Sequence, residues 1–266
     1  MTIRKSIQTM QLSNGLAAEP DPVYYPETDG KPMAESDLHR DLLFYIIHLL
    51  QRFFAGRRIY VTGNLLVYYE KGNNRKSVSP DCFVVRDVEP KQRASYKIWE
   101  EGRGPEVVFE VSSKSTHRED ITNKMRLYAQ LGVREYFIYD PTSDYLDPPL
   151  IAYTLTENQE GGNRGYVPMA PLNEAVTLGE FSFVPGEGEA PEYECTLLGL
   201  RVTLDDGNNL TFFDVETGER LLSDEEARLL AEQQAAEARQ RAETAEAENA
   251  RLRAEVEQLR KQSAKS

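Results

Sequence analysis

Residues 106–139 of this chain read EVVFEVSSKSTHREDITNKMRLYAQLGVREYFIY, and this stretch decides the fold. Its first part, residues 106–111, is mainly apolar, as expected of a strand in the centre of a sheet. Residues 116–131 carry apolar side chains at helical spacing, and Gly132 follows at the position of a helix C-cap. A second short apolar segment, residues 135–139, comes directly after it. The order strand, helix, strand predicts two parallel strands joined by a right-handed crossover.

The flanking sequence extends this unit into an α/β sandwich. Residues 35–54 show apolar side chains at helical spacing and predict an amphipathic helix. β-Branched and aromatic residues predict further strands over residues 59–69 and 81–86, and then over 151–155, 166–169, 181–184 and 210–213, with a loop at 185–191. We predict a disordered leader over residues 1–22 and one domain over residues 23–215, whose second half is a β-rich extension.

Beyond residue 221 the composition changes to Ala, Glu, Arg, Gln and Leu, without Pro or Gly. A seven-residue repeat runs through Ala235, Ala238, Ala242, Ala245, Asn249, Leu252, Val256 and Leu259. This pattern predicts a coiled coil over residues 221–262, with a second copy of the chain as the expected partner (a homo-oligomer) and another protein as the alternative. Asn249 at a core position favours one register and a low oligomer number. The alternative is a single solvated helix, since most of the seam is alanine.

Charge and hydropathy limit the classes of function. The formal net charge is -13, which argues against binding to a polyanion through a basic face. Net charge does not show how charge is distributed, however, and a divalent cation in an acidic site can attract a phosphate. We find no apolar run long enough to cross a bilayer and no signal-peptide pattern in the sequence, which favours a cytoplasmic protein without membrane association. The two cysteines, Cys82 and Cys195, have no metal or redox spacing and are expected in the core.

Glu110 is the most informative residue, because it interrupts the apolar run of a central strand. Burying an unpaired carboxylate there costs on the order of several kcal/mol unless a cation or several hydrogen-bond donors compensate. Asp81 follows Pro80 and opens the apolar strand that begins at Cys82, although a turn residue after proline is an equally good interpretation. Two carboxylates on neighbouring strands would form an oxygen-rich site suited to Mg²⁺ or Mn²⁺.

A longer pattern contains these residues. It consists of Pro80-Asp81, Glu110-Val111-Ser112-Ser113, Ser115-Thr116, Arg118, Asp120, Lys124, Tyr128, Gly132-Val133-Arg134-Glu135-Tyr136 and Asp140-Pro141. The pattern resembles the Uma2 family, a bacterial group of endonucleases with the restriction-endonuclease-like PD-(D/E)XK fold, over about residues 33–185 and again in the tail. The resemblance implies a central mixed sheet flanked by helices, in which the Asp and the Glu bind Mg²⁺ beside the scissile phosphate of DNA.

The sequence departs from the PD-(D/E)XK pattern because Ser112, not lysine, stands two residues after Glu110. The resemblance assigns the missing lysine to Lys124, on the following helix. Lys114 is the competing lysine, and a surface ion pair between Lys124 and Asp120 is the structural alternative. Further candidates are Glu35 as a third metal ligand, and His39, Ser112 and His117 as substrate contacts. Each of these has an ordinary alternative role, such as a favourable acid in the first helical turn for Glu35.

The implied reaction is metal-dependent phosphodiester hydrolysis. Motifs of serine hydrolases, zinc proteases, P-loop proteins and dinucleotide-binding proteins do not occur in the sequence. The rival hypothesis belongs to another class: a nuclease-like domain with weak or no activity, used as a binding module and assembled through its coiled coil.

Overall fold

The computed structural model describes residues 23–28, 30, 36–157, 164–173 and 190–263. Its centre is a six-stranded mixed sheet with the spatial order β1-β4-β6-β7-β8-β9. These strands are β1 Ile59–Thr62, β4 Cys82–Arg86, β6 Val107–Val111, β7 Glu135–Tyr139, β8 Leu150–Glu157 and β9 Arg164–Pro168. The architecture is mixed α/β, as predicted.

The unit that we expected to decide the fold is present. Strand β6 pairs in parallel with β7, and the pairing runs from Val107 opposite Glu135 to Val111 opposite Tyr139. The connecting helical segment ends at Gly132, whose φ of 81° lies in the left-handed region that a C-cap requires. Since β6 and β7 run in the same direction, their carboxyl ends lie side by side at one edge of the sheet.

Helices cover both faces of the central sheet. Successive residues of a strand point to opposite faces, so neighbouring residues of β6 contact different helices. On one face, Phe109 packs in a core with Ile46 and Leu50 of helix α1 (Asp37–Phe53). On the other face, Val108 packs in a core with Tyr128 of helix α4 (Met125–Leu131). Glu110 lies two residues from Val108 and faces the same side as α4.

Two small sheets complete the domain. The first has the order β3-β2-β5, with β2 Val67–Tyr68, β3 Ser77–Val78 and β5 Tyr96–Lys97, and it is followed by the short helix α2 Ile98–Glu101. The second is antiparallel, with β10 Tyr193–Cys195, β11 Leu200–Leu204 and β12 Leu210–Asp214. Strands β10 and β11 were not among the predicted strands, and the predicted strand over residues 181–184 and most of the loop at 185–191 lie outside the described residues.

Two predicted elements are interrupted. The strand expected over residues 59–69 ends at Thr62, and Val67–Tyr68 pairs in a different sheet. The break lies at Gly63 and Asn64, and Asn64 has a φ of 53°. The helix expected over residues 116–131 consists of α3 (His117–Glu119), a π-helical turn (Asp120–Lys124) and α4.

Helix α5, Asp224–Ser263, is 40 residues long. It begins with a capping box, in which Glu226 N donates to Ser223 Oγ at 3.2 Å and Ser223 N donates to Glu226 Oε2 at 2.8 Å. Arg220 ties the first turn to the domain through an ion pair with Glu226 at 2.7 Å. A helix does form where the coiled coil was expected, whereas its association with a second chain stays a prediction.

Two further features concern the long helices and the cysteines. In the described parts of the chain, no helix is both long and apolar enough to span a membrane. Cys82 and Cys195 are both buried and form no disulfide. Cys195 Sγ lies 2.9 Å from Glu135 Oε2 and joins the small antiparallel sheet to β7.

Gly63 is predicted to tolerate no side chain, because a Cβ there would overlap the carbonyl oxygen of Asp81 and lie 2.7 Å from Ile47 Cδ1. We expect Gly63→Ala to lower the free energy of unfolding by about 1–3 kcal/mol, the range for overpacking. Gly165→Ala is the matched control, since a Cβ at Gly165 meets nothing within 4 Å. Urea unfolding measures both, and equal stability of the two variants would contradict the close approach.

Candidate active site

Asp81 and Glu110 lie together at one end of the central sheet. Cys82 of β4 pairs with Phe109 of β6 in antiparallel register, which places the residue before Cys82 beside the residue after Phe109. Asp81 N lies 3.4 Å from Glu110 Oε2, and Val111 N donates to Asp81 Oδ2 at 2.8 Å. The strand pairing therefore brings together the two acidic residues that the sequence singled out.

The Glu110 carboxylate is fully buried, with 0% of its side chain exposed. Tyr128 Oη donates to its Oε1 at 2.5 Å, and Lys124 Nζ donates to its Oε2 at 2.9 Å. Burial raises the pKa of Glu110 well above its ordinary value, Lys124 opposes this rise, and the negative charges of Asp81 and Asp120 add to it. The strand thus holds a carboxyl group that strongly favours a proton or a nearby cation.

Asp81 is held differently. Its side chain is 15% exposed, and His39 Nε2 of α1 lies 3.3 Å from its Oδ2. Burial alone would raise the pKa of Asp81, but the contact with His39, the charge of Lys124 and the hydrogen bond from Val111 N together lower it. The surroundings therefore act in opposite directions on the two carboxyl groups, since they lower the pKa of Asp81 and raise the pKa of Glu110.

Lys124 is the lysine that reaches the carboxylates. Its Nζ lies 2.9 Å from Glu110 Oε2 and 2.9 Å from Asp120 Oδ1, and only 13% of its side chain is exposed. Burial would lower the pKa of Lys124, but Glu110, Asp120 and Asp81 outweigh burial and raise it, so that the amine carries a positive charge. Lys114 is exposed in the loop that follows β6 and makes no contact with these carboxylates.

Asp120 belongs to the same cluster, and its role was not recognised from the sequence. Only 1% of its side chain is exposed, so its contact with Lys124 is not a surface ion pair. Ser112 Oγ donates to Asp120 Oδ2 at 3.0 Å, and Tyr136 Oη donates to its backbone oxygen at 3.0 Å. Burial raises the pKa of Asp120, and Lys124 opposes that rise. The i,i+4 spacing of Asp120 and Lys124 was the available signal, but it is also typical of exposed pairs.

A π-helical turn over Asp120–Lys124 produces this arrangement. Such a turn is wider than an α-helical turn and is frequent at functional sites. Here it places Asp120 and Lys124 on the side of the helix that faces β6, whereas Ile121 and Thr122 are exposed.

The remaining candidates lie around this centre. His39 joins it through Asp81, and Ser112 through Asp120. His117 stacks on Tyr145, with ring centroids 4.9 Å apart and planes inclined by 19°, and its Nδ1 lies 3.1 Å from the backbone oxygen of Ser113. Glu35, the suggested third metal ligand, lies outside the described residues. Within the described part of the chain, the carboxylates of this cluster that could hold a cation are Asp81, Glu110 and Asp120.

Comparison with known proteins gives the family. Residues 11–168 match the model of the Uma2 family, which is described as "Putative restriction endonuclease", and this match covers more than half of the chain. The chain belongs to the Uma2 family. The resemblance noted in the sequence is thereby confirmed, and it supports a nuclease of the Uma2 type. No curated protein matches the chain.

The solved structures that are similar to this Uma2 chain include a bacterial one. It is described as the crystal structure of a putative nuclease belonging to DUF820 from Anabaena variabilis ATCC 29413. The two sequences are 13% identical, the TM-score is 0.36, and the alignment covers 57% of this chain and 80% of the other.

Tyr128 is predicted to stabilise the Uma2 domain through its hydrogen bond to Glu110. Tyr128→Phe leaves one buried carboxyl oxygen without its donor, and we expect a loss of about 1–3 kcal/mol in the free energy of unfolding. Tyr153→Phe is the matched control, because none of the hydrogen bonds found among the described residues involves the Tyr153 hydroxyl, which lies in the same aromatic cluster. Chemical unfolding measures both losses, and a Tyr153→Phe loss as large as that of Tyr128→Phe would contradict the assignment.

Proposed function

We propose that this protein is a metal-dependent endonuclease that hydrolyses phosphodiester bonds in DNA, with Asp81 and Glu110 as cation ligands and Lys124 as the catalytic lysine. One observation carries the proposal. Two carboxylates and a buried, charged lysine converge at one end of the central sheet in a chain of the Uma2 family.

The donor set fits a small divalent cation. Within the described part of the chain, no three His, Cys, Asp or Glu residues form a ready-made metal site. Mg²⁺ does not need one, since it is usually held by one or two carboxylates together with waters and substrate phosphate. Oxygen donors favour Mg²⁺, with Mn²⁺ as the closest substitute. A cation would also offset the burial of Glu110, which at present raises the pKa of that residue.

Each side chain then has a definite task. The bound cation would supply a polarised phosphate and a water of lowered pKa. Lys124, whose pKa is raised, stays charged and stabilises the negative charge that develops on the phosphate. Tyr128 holds Glu110, and His39 holds Asp81. Ser112 would act through Asp120, and Glu35 stays a proposed third ligand.

The distribution of charge removes the main objection to a DNA substrate. Residues 1–140 contain 20 Lys and Arg against 19 Asp and Glu, whereas residues 141–223 contain 3 against 15. The acidity is therefore concentrated after β7, and the part of the chain that carries the site is nearly neutral. A nearly neutral segment with a bound cation would repel phosphate less than the net charge of the whole chain suggests.

Three exposed cations on the segment after β6 are available for phosphate contacts. Among the described residues, Lys114, Arg118 and Arg126 form no ion pair, and all three lie on the segment that follows β6. His117 lies on the same segment and is the proposed substrate contact of that loop. Together these side chains would bind the DNA backbone beside the carboxylates.

Two lysines distinguish this site assignment from its competitor. We expect wild-type protein with Mg²⁺ or Mn²⁺ to nick plasmid DNA, and Lys124→Met to lower kcat by about 10²–10³-fold, the effect of removing one charge-stabilising group. Lys114→Met is the matched variant, and we expect it to raise KM while kcat stays within a few-fold. Nicking rates over a range of DNA concentrations measure both parameters.

Asp81→Asn and Glu110→Gln should abolish the cleavage. Nicking that survives both of these substitutions would show that the carboxylate assignment is wrong. A collapse of kcat in Lys114→Met, with activity retained in Lys124→Met, would transfer the role to Lys114.

The rival hypothesis, a binding module without useful activity, also has one observation in its favour. The carboxylate that should bind the cation already accepts hydrogen bonds from Lys124 and Tyr128. A protein whose lysine permanently neutralises Glu110 would bind no cation. Calorimetry with Mn²⁺ separates the two hypotheses, because only the nuclease hypothesis requires the protein to bind a divalent cation.

We further propose that helix α5 pairs with a second copy of the chain in a parallel coiled coil. Leu252 and Val256 belong to the predicted seam, and they are 51% and 47% exposed in the single chain. Burial of these apolar side chains would stabilise the pair. Two catalytic domains would then be joined in one particle.

The seam predicts a defined response to substitution. We expect sedimentation of the full chain to show a dimer, and Leu252→Lys with Val256→Lys to give a monomer with an intact domain. Arg251→Gln with Arg253→Gln is the control, since it changes neighbouring exposed positions outside the seam and should remain dimeric. A monomeric wild-type protein would establish the alternative of a single solvated helix.

A further inference from the structure

We propose that Asp120 is a positioning residue: when a divalent cation binds Glu110, Lys124 leaves Glu110 and stays paired with the Asp120 carboxylate. The inference rests on the proposed function, because it concerns the lysine of the same site. Asp120 would affect cation binding by holding Lys124, and it would not itself coordinate the cation.

The starting point is the competition at Glu110. Lys124 Nζ lies 2.9 Å from Glu110 Oε2, and the other oxygen of Glu110 accepts from Tyr128. A divalent cation at the same oxygen would meet the ammonium group at close range in a buried site, where repulsion between like charges is strong. Cation binding therefore requires that Lys124 leave Glu110.

Asp120 provides the place to which the lysine moves. Its Oδ1 already lies 2.9 Å from Lys124 Nζ, so the amine needs to lose only one of its two carboxylate partners. The carboxylate itself is fixed, because its other oxygen accepts from Ser112, and the backbone oxygen of Asp120 accepts from Tyr136. A buried ammonium group without a partner would be costly, and Asp120 removes that cost.

Charge balance supports the same assignment. Asp81, Glu110 and Asp120 carry three negative charges when ionised, and Lys124 with a divalent cation carries three positive charges. Without Asp120 the loaded site would have an excess positive charge in a buried environment, which is unfavourable. Asp120 thus allows the lysine and the cation to occupy the site together, as the proposed chemistry requires.

A double-mutant cycle with Mn²⁺ tests the proposal in the full-length protein. Calorimetry would give the affinity of the wild type, Asp120→Asn, Lys124→Met and the double variant. We expect Asp120→Asn to weaken Mn²⁺ binding by about tenfold, since Lys124 then stays on Glu110, and Lys124→Met to bind at least as tightly as the wild type. In the Lys124→Met background, Asp120→Asn should change the affinity less than about twofold.

Two further variants control for indirect effects. Glu119→Gln alters an exposed acidic residue next to Asp120 and should leave the Mn²⁺ affinity unchanged. Asp120→Glu keeps the charge and should recover part of the affinity that Asp120→Asn loses. Thermal unfolding of each variant reports any loss of fold. A loss of Mn²⁺ affinity caused by misfolding would occur in Asp120→Asn whether or not Lys124 is present.

The outcomes separate this inference from the proposed function. Equal loss of affinity from Asp120→Asn in both backgrounds would make Asp120 a direct ligand and overturn the positioning role. No loss in either background would overturn it as well. A wild-type protein that binds no Mn²⁺ would overturn the proposed function, and the inference with it.

Discussion

A carboxylate buried inside an apolar strand is the constraint around which this structure is organised. Glu110 lies among Val107, Val108, Phe109 and Val111, and none of its side chain is exposed. Such a group is strongly destabilising unless donors or a cation compensate. Tyr128 and Lys124 on the helical segment after β6, and Asp81 N directly before the neighbouring strand β4, supply that compensation.

The topology explains why these partners meet. Parallel pairing of β6 with β7 requires a long connection, and the helical segment that provides it packs back over the face to which Glu110 points. Antiparallel pairing of β4 with β6 brings the start of β4 to the end of β6, so Asp81 arrives beside Glu110 from the other direction. The first turns of α1 add His39. The site is thus built from residues in the central elements or directly next to them.

Much of this could be predicted from the sequence. The conflict between Glu110 and its apolar neighbours is visible in six residues, and the alternation of strand, helix and Gly132 indicates the parallel pair. Lys124 was assigned through the family pattern, since spacing alone could not separate it from Lys114 or from a surface pair with Asp120.

Other features depend on tertiary contacts that no local pattern reveals. The π-helical turn arises where Asp120 and Lys124 both pack against β6, and a helical sequence does not show where an extra residue will be accommodated. The break at Gly63 follows from the approach of the Asp81 carbonyl, a residue 18 positions later. Strands β10 and β11 are short and are ordered by packing on the same core as α1.

The central claim is that Asp81 and Glu110 jointly hold one divalent cation while Lys124 remains in the site. Anomalous diffraction from a crystal of the full-length protein soaked in Mn²⁺ tests it most directly. The account predicts one anomalous peak in contact with oxygens of both carboxylates, with Lys124 Nζ bonded to Asp120 and displaced from Glu110. A crystal without a peak at these carboxylates, with Lys124 still bonded to Glu110, would contradict it.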